Sequence, residues 1–169
     1  MPRLLNVAAT TALISAIAGS AVAAAPQSTT ATYGDWTLRC VMQGQTKVCE
    51  MAQSMQIKGQ SRPITQIAIG RQGKSDPLKI VFEVPINVWL PDGVKLTTDD
   101  KKLEISASFT RCLPVGCFAD VEISKAQIKE LNALKKAGKL QFKDAGKQAI
   151  AIPVSFKGFG DAYDAMQKP

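Results

Sequence analysis

The chain has 169 residues, with 21 Lys and Arg against 14 Asp and Glu, a net charge of +7, four cysteines and no histidine. That length suits one ordinary domain with a real hydrophobic core. The missing histidine excludes Ser-His-Asp and Cys-His nucleophile systems and every metal site that uses imidazole.

At the N-terminus Arg3 precedes an apolar stretch from Leu4 through Ile17, and small residues follow from Gly19 to Ala25. A positive start, a short apolar core and an Ala-x-Ala end make up a cleavable secretory signal. Ala21-x-Ala23 suits a cut after Ala23, and a cut after Ala24 fits nearly as well. The expected organisation is a signal peptide over 1–23, a flexible polar lead-in over 24–32 and one domain over 33–169. Losing Arg3 lowers the charge from +7 to +6. A retained membrane anchor is the competing reading. A spanning helix needs about 20 predominantly apolar residues, and Asn6, Thr10, Thr11, Ser15 and Ser20 dilute this segment. Export would place the protein in the periplasm or cell envelope, away from nucleic acid and with no transmembrane segment after cleavage.

From Trp36 onward the chain reads as short strands separated by turn residues. Trp36 to Val41 and Lys47 to Met51 alternate apolar with polar residues, as half-buried strands do. Gly44 lies between them and suggests a hairpin. Ile64 to Ile69, Leu78 to Val84, Val94 to Thr97 and Lys102 to Phe109 continue the pattern. Pro91-Asp92-Gly93 is a turn, because proline presets one φ and glycine accepts the positive φ that follows. One helix is expected at about 124–137. Ser124 and Gln127 form a capping box, Ile128, Leu131 and Leu134 share a face, and Gly138 suits the C-terminal left-handed position. Strands at Leu140 to Lys143 and Gln148 to Phe156 follow, then a short final helix within Gly158 to Met166. The pattern predicts a mainly β, single β-sandwich-like domain of short antiparallel strands with a packed α-helix.

The cysteines form two short-range pairs, Cys40 with Cys49 and Cys112 with Cys117. In an oxidising compartment the leading reading is two local structural disulfides. Crossed pairing of Cys40 with Cys112 or Cys117 stays open on sequence alone. A zinc site fits the spacing of Cys112 and Cys117 marginally and that of Cys40 and Cys49 not at all. Neither pair has the Cys-x-x-Cys helix context of a redox centre.

Lys125, Lys129 and Lys136 fall on the helix side opposite the apolar face, in a segment that also carries Lys135, Lys139, Lys143 and Lys147. Such a stretch suits polyanions such as lipid headgroups or acidic glycans, and a merely solvated face is the plainer account. Asp35-Trp36 can be a ligand-recognition pair or a core anchor with a turn carboxylate. Trp89, beside the Pro91-Asp92-Gly93 turn, divides in the same way between binding and packing. Glu50, Glu83, Glu104 and Glu122 are too scattered to pair for acid–base chemistry, and Lys157-Gly158-Phe159 reads as a strand end. No cofactor and no catalytic set is expected.

Four blocks occur in order: Tyr33-Gly34-Asp35-Trp36 leading to Cys40, then Cys49-Glu50; Leu90-Pro91-x-Gly93-Val94; Cys112-Leu113-Pro114-Val115-Gly116-Cys117-Phe118-Ala119; and Ile152-Pro153-Val154-Ser155-Phe156-Lys157-Gly158-Phe159. Together they resemble the invasion-associated locus B family of proteins exported by Gram-negative bacteria, chiefly α-proteobacteria. The resemblance spans Tyr33 to about Ala165. It implies an envelope or secreted location and a link to host-cell invasion, and it brings no catalytic residues with it. The expected function is therefore non-enzymatic binding of an envelope or host-cell component, a protein or a polyanion. A periplasmic inhibitor or small-ligand-binding protein is the first alternative, and a periplasmic enzyme the second.

Overall fold

The structure is a computed structural model that describes residues 28–56, 65–73, 75–98, 103–134 and 136–168. The leader expected over 1–23 lies outside these residues, as does the start of the lead-in. Eleven strands are described: β1 (Ser28–Tyr33), β2 (Trp36–Gln43), β3 (Thr46–Met55), β4 (Thr65–Gly70), β5 (Lys79–Val84), β6 (Val94–Thr98), β7 (Glu104–Ala107), β8 (Phe109–Leu113), β9 (Gly116–Glu122), β10 (Gly138–Lys143) and β11 (Ala149–Val154). The two helices are α1 (Lys125–Ala133) and α2 (Phe159–Gln167). A seven-stranded antiparallel sheet runs β1-β2-β3-β4-β5-β9-β8, and a four-stranded one runs β11-β10-β6-β7.

The period-2 pattern places the core between these sheets. Trp36 and Leu38 of β2, Ile67 and Ile69 of β4, and Ile80, Phe82 and Val84 of β5 are buried at alternate positions. Leu96, Ile105, Leu140 and Val154 of the smaller sheet join them in one continuous core. Burial of such aliphatic and aromatic side chains stabilises by roughly 1.5–3 kcal/mol each. Helix α2 adds Phe159, Ala162 and Met166 and packs against β1, β2 and β3, while α1 contributes Ile128 and Leu131. The mainly β, two-sheet domain expected from the sequence is the observed fold.

Several boundaries differ from expectation. The polar lead-in becomes, from Ser28, the edge strand β1, because all six residues of Ser28–Tyr33 find antiparallel partners in β2. The single strand expected from Lys102 to Phe109 is two, β7 and β8, which belong to different sheets. Burial alternates unbroken through Leu103, Ile105 and Ala107, so the change of sheet at Ser108 leaves no mark on the periodicity.

The capping box is present, with Gln127 N–H donating to Ser124 Oγ (3.2 Å) and Ser124 N–H donating to Gln127 Oε1 (2.9 Å). The helix nevertheless stops at Ala133, with Leu134 as its C-cap, and not at about 137. Gly138 opens β10 and does not cap α1. A Cβ there would lie 2.8 Å from Thr97 O and 3.0 Å from the Phe156 ring, so glycine permits close packing.

Candidate functional site

The first and last sequence blocks meet in space. Gly34 and Asp35 form the tight turn between β1 and β2, and this turn abuts the chain that follows β11. Asp35 N–H donates to Lys157 O (3.0 Å), and Ser155 Oγ–H donates to Asp35 Oδ2 (2.6 Å). The Trp36 indole N–H donates to Ser155 O (3.0 Å). Gln53, only 5% exposed on β3, closes the contact: its amide donates to Ser155 O (2.8 Å) and Asp35 O (3.4 Å), and its Oε1 accepts from Ser155 N–H (2.9 Å). Below this layer the Trp36 and Phe159 rings pack edge to face at 5.1 Å, with Phe156 and Phe159 at 6.0 Å.

Both glycines are required there. Gly34 has φ +57° and Gly158 has φ +81°; a Cβ on Gly34 would fall 2.5 Å from Lys157 O, and one on Gly158 would fall 2.8 Å from Gly34 N. The arrangement is a backbone latch. The Ser155 hydroxyl donates to the Asp35 carboxylate, and the same oxygen accepts from Lys157 N–H, so the bonds of this cluster tie the β1–β2 turn to the chain after β11. Trp36 is a core anchor, 1% exposed. Gln53 was invisible to sequence reasoning, because a polar residue in strand phase reads as surface.

The cysteines pair locally, Cys40 with Cys49 and Cys112 with Cys117. Each bridge joins residues directly opposite in an antiparallel pair, β2 with β3 and β8 with β9. Bonded sulfurs provide neither the thiolates of a zinc site nor a thiol nucleophile.

The basic residues do not gather as expected. Lys125 and Lys129 are exposed on α1, but Lys136 lies beyond the helix C-cap and so is not part of its face. A second basic cluster surrounds Trp89. Lys147 Nζ stands 4.3 Å over the Trp89 ring, and Lys143 Nζ bonds Asp92 Oδ2 at 2.7 Å. That ammonium holds the Asp92 carboxyl below the usual aspartate range. Trp89 is half-buried, and its backbone N–H donates to Lys143 O (2.9 Å). Glu104 and Glu122 are exposed and lie on separate sheets, as the solvated-face reading requires.

A further feature escaped the sequence reading. The turn between β8 and β9 exposes Leu113 (47%) and Val115 (69%) on either side of Pro114. Directly behind it sits the Cys112–Cys117 bridge. Val84 at the end of β5 pairs with Cys117, so the chain leaves β5 through Pro85 and the 51% exposed Ile86 next to this turn. Arg111 lies over the Phe118 ring at 4.6 Å at the base of the same hairpin. The available signal was the size of the loop: apolar residues inside a disulfide closing only five positions have no room to fold inward.

Comparison with known proteins follows the same lines. The family model for the invasion associated locus B (IalB) protein matches residues 36–167. An invasion protein B homolog from Brucella abortus (strain 2308) is 32% identical over 138 residues, covering 80% of this chain and 78% of that protein. Invasion protein B of Bartonella bacilliformis is 26% identical over 109 residues, covering 64% of this chain and 58% of its own. The crystal structure of invasion associated protein B from Bartonella henselae superposes with a TM-score of 0.71 at 26% identity, covering 82% of this chain and 94% of that one. With a family model matched over residues 36–167 and a relative 32% identical over 80% of its length, the chain belongs to the invasion-associated locus B family.

Proposed function

We propose that this protein is exported to the periplasm or cell envelope and acts without catalysis, by binding an envelope or host-cell component. The observation that carries this reading is the rigid apolar turn at Leu113 to Gly116, flanked by Ile86 and clamped by Cys112–Cys117. Exposed aliphatic side chains on a stiff support lose little freedom when they are covered, which favours a contact surface. The family's named relatives, called invasion proteins, point the same way. Among the described residues no helix is long and apolar enough to cross a membrane. The latch gives the signature residues around Gly34 and Ser155 a scaffold role, which supports this reading.

Lys125, Lys129 and Lys136 supply a second, salt-sensitive attraction toward polyanionic surfaces. The test is co-sedimentation of the purified mature protein with envelope fragments of its own organism and with host-cell membranes. Leu113→Ser with Val115→Ser should lower binding about tenfold or more, at unchanged thermal stability. Joint neutralisation of the three lysines should reduce only the part that salt suppresses. Undiminished binding by the Leu113/Val115 variant would refute the assignment of the turn.

A further inference from the structure

Among the described residues β1 forms an open edge of the seven-stranded sheet, with no strand on its outer side. Its sequence, Ser28-Thr29-Thr30-Ala31-Thr32-Tyr33, carries no charge and no proline, and all but Tyr33 are exposed. Such an edge is a row of unpaired N–H and C=O groups ready to pair with another chain, and edges are ordinarily blocked by charge, proline, a bulge or short length. The other edges of the two sheets are blocked in these ways. β8 has a register shift between Phe109 and Arg111, and Arg111 is exposed. β11 carries Pro153, and β7 is only four residues long and holds Glu104, ion-paired with Lys95. β1 has none of these devices.

Register fixes which groups face outward. β1 and β2 are joined by the two-residue turn Gly34-Asp35, so Tyr33 and Trp36 are a hydrogen-bonded pair. Bonding alternates along an antiparallel ladder. Tyr33, Ala31 and Thr29 therefore bond to β2, while Thr32, Thr30 and Ser28 direct N–H and C=O to the open edge. Cys40 and Cys49, with Cα atoms 4.0 Å apart, have the closer spacing of a non-bonded pair, which turns the Cys40 backbone toward Thr29 and gives the same phase.

We infer that β1 pairs antiparallel with β1 of a second copy, about a two-fold axis at Thr30. In this register Thr30 faces Thr30, Ser28 faces Thr32 and Thr29 faces Ala31, which makes about six backbone hydrogen bonds. Every one of these pairs is small and uncharged, and Thr and Ser are favourable opposite one another. Selection of a different chain relies on pockets or charges along the edge, and β1 carries no charge. Arg39 stands opposite Thr30 on β2. The two copies of Arg39 would be three strand spacings apart, about 14 Å, farther than the Debye length of about 8 Å at physiological salt. So short an edge makes a small interface, and the dimer is weak.

Sedimentation velocity of the mature, oxidised protein from about 1 μM to about 1 mM tests this. The mean mass should rise from one chain towards two, and hydrogen exchange of the Thr30 and Thr32 amides should slow in parallel. Thr30→Pro removes an outward N–H that β2 does not use, so it should weaken pairing about tenfold or more at unchanged Tm. Thr30→Lys and Thr30→Glu each set like charges face to face and should also weaken it about tenfold. Mixed in equal amounts, these two variants should pair again. A monomer up to about 1 mM, a dimer that survives all three substitutions, or a mixture that pairs no better than its components would overturn the inference. So would protection of Thr30 that arises only when envelope extract is added, since the edge would then take another chain. None of these results depends on the binding role of Leu113 and Val115.

Discussion

Gly158→Ala and Gly44→Ala make a controlled pair, since both glycines have positive φ, +81° and +63°, and only Gly158 packs against a distant segment of the backbone. Alanine in the left-handed region costs roughly 1–2 kcal/mol, partly offset by about 0.4–1 kcal/mol from the stiffer unfolded chain. Nothing lies within 4 Å of a Cβ at Gly44, so that substitution should cost about 1 kcal/mol. At Gly158 the new methyl group would lie 2.8 Å from Gly34 N and closer still to Tyr33 O, both backbone atoms that cannot rotate aside.

The latch must therefore open. Opening it loses the Asp35–Lys157 and Ser155–Asp35 hydrogen bonds, about 1 kcal/mol each. It also disturbs the Trp36–Phe159 contact, worth about another 1 kcal/mol. The total is about 3–4 kcal/mol, within the stability of a typical domain. For a chain of this size that corresponds to a fall in Tm of about 10 °C or more, against about 3 °C for Gly44→Ala. Differential scanning calorimetry under non-reducing conditions measures both. Equal shifts within about 2 °C would refute the latch as a structural determinant.

Gln53→Leu keeps the volume but strands Ser155 N–H, removes a donor from Asp35 O and leaves Ser155 O with the Trp36 indole alone, and should cost about 1–3 kcal/mol in urea denaturation; a loss below about 0.5 kcal/mol would contradict the bonding described. The bridges close sequence separations of 9 and 5, so in the chain-entropy account removing Cys40–Cys49 costs about 2.7 kcal/mol and removing Cys112–Cys117 about 2.2 kcal/mol. The paired Cys112→Ser and Cys117→Ser change should also weaken partner binding in the co-sedimentation assay while the domain stays folded. Asp120 bonds Lys79 at 3.0 Å, which holds its carboxyl below the usual range. A lowered folded pKa means that this stabilisation is present above the unfolded value and is lost as pH falls through the folded one. Asp120→Asn should therefore flatten the loss of stability below about pH 4, and an unchanged acid slope would argue against the pair.

The strands of the large sheet were legible because β2, β4 and β5 bury one face strictly, and alternation is what a two-faced strand imposes on sequence. The hairpin at Gly44, the turn at Gly93 and the Ser124 capping box were legible for a similar reason: each is a local solution within four residues. The end of α1 was not, since Gly138 answers to Thr97 and Phe156, which are distant in sequence. β1 was unreadable because an exposed edge strand of Ser, Thr and Ala carries no apolar phase, and its order comes from pairing with β2. The cysteine pairs were read correctly because proximity along the chain coincided with opposition across a hairpin. Gln53 could not be singled out, since a buried amide looks like a surface residue until its surroundings are known.

Hydrogen–deuterium exchange of the mature protein, alone and with host-cell or envelope membranes, tests the central claim most directly. Binding through the clamped apolar turn predicts slowed exchange at residues 112–117 and around Ile86, with the latch at 34–36 and 155–159 unchanged. Protection confined to the latch, or none at the turn while membranes bind, would contradict it.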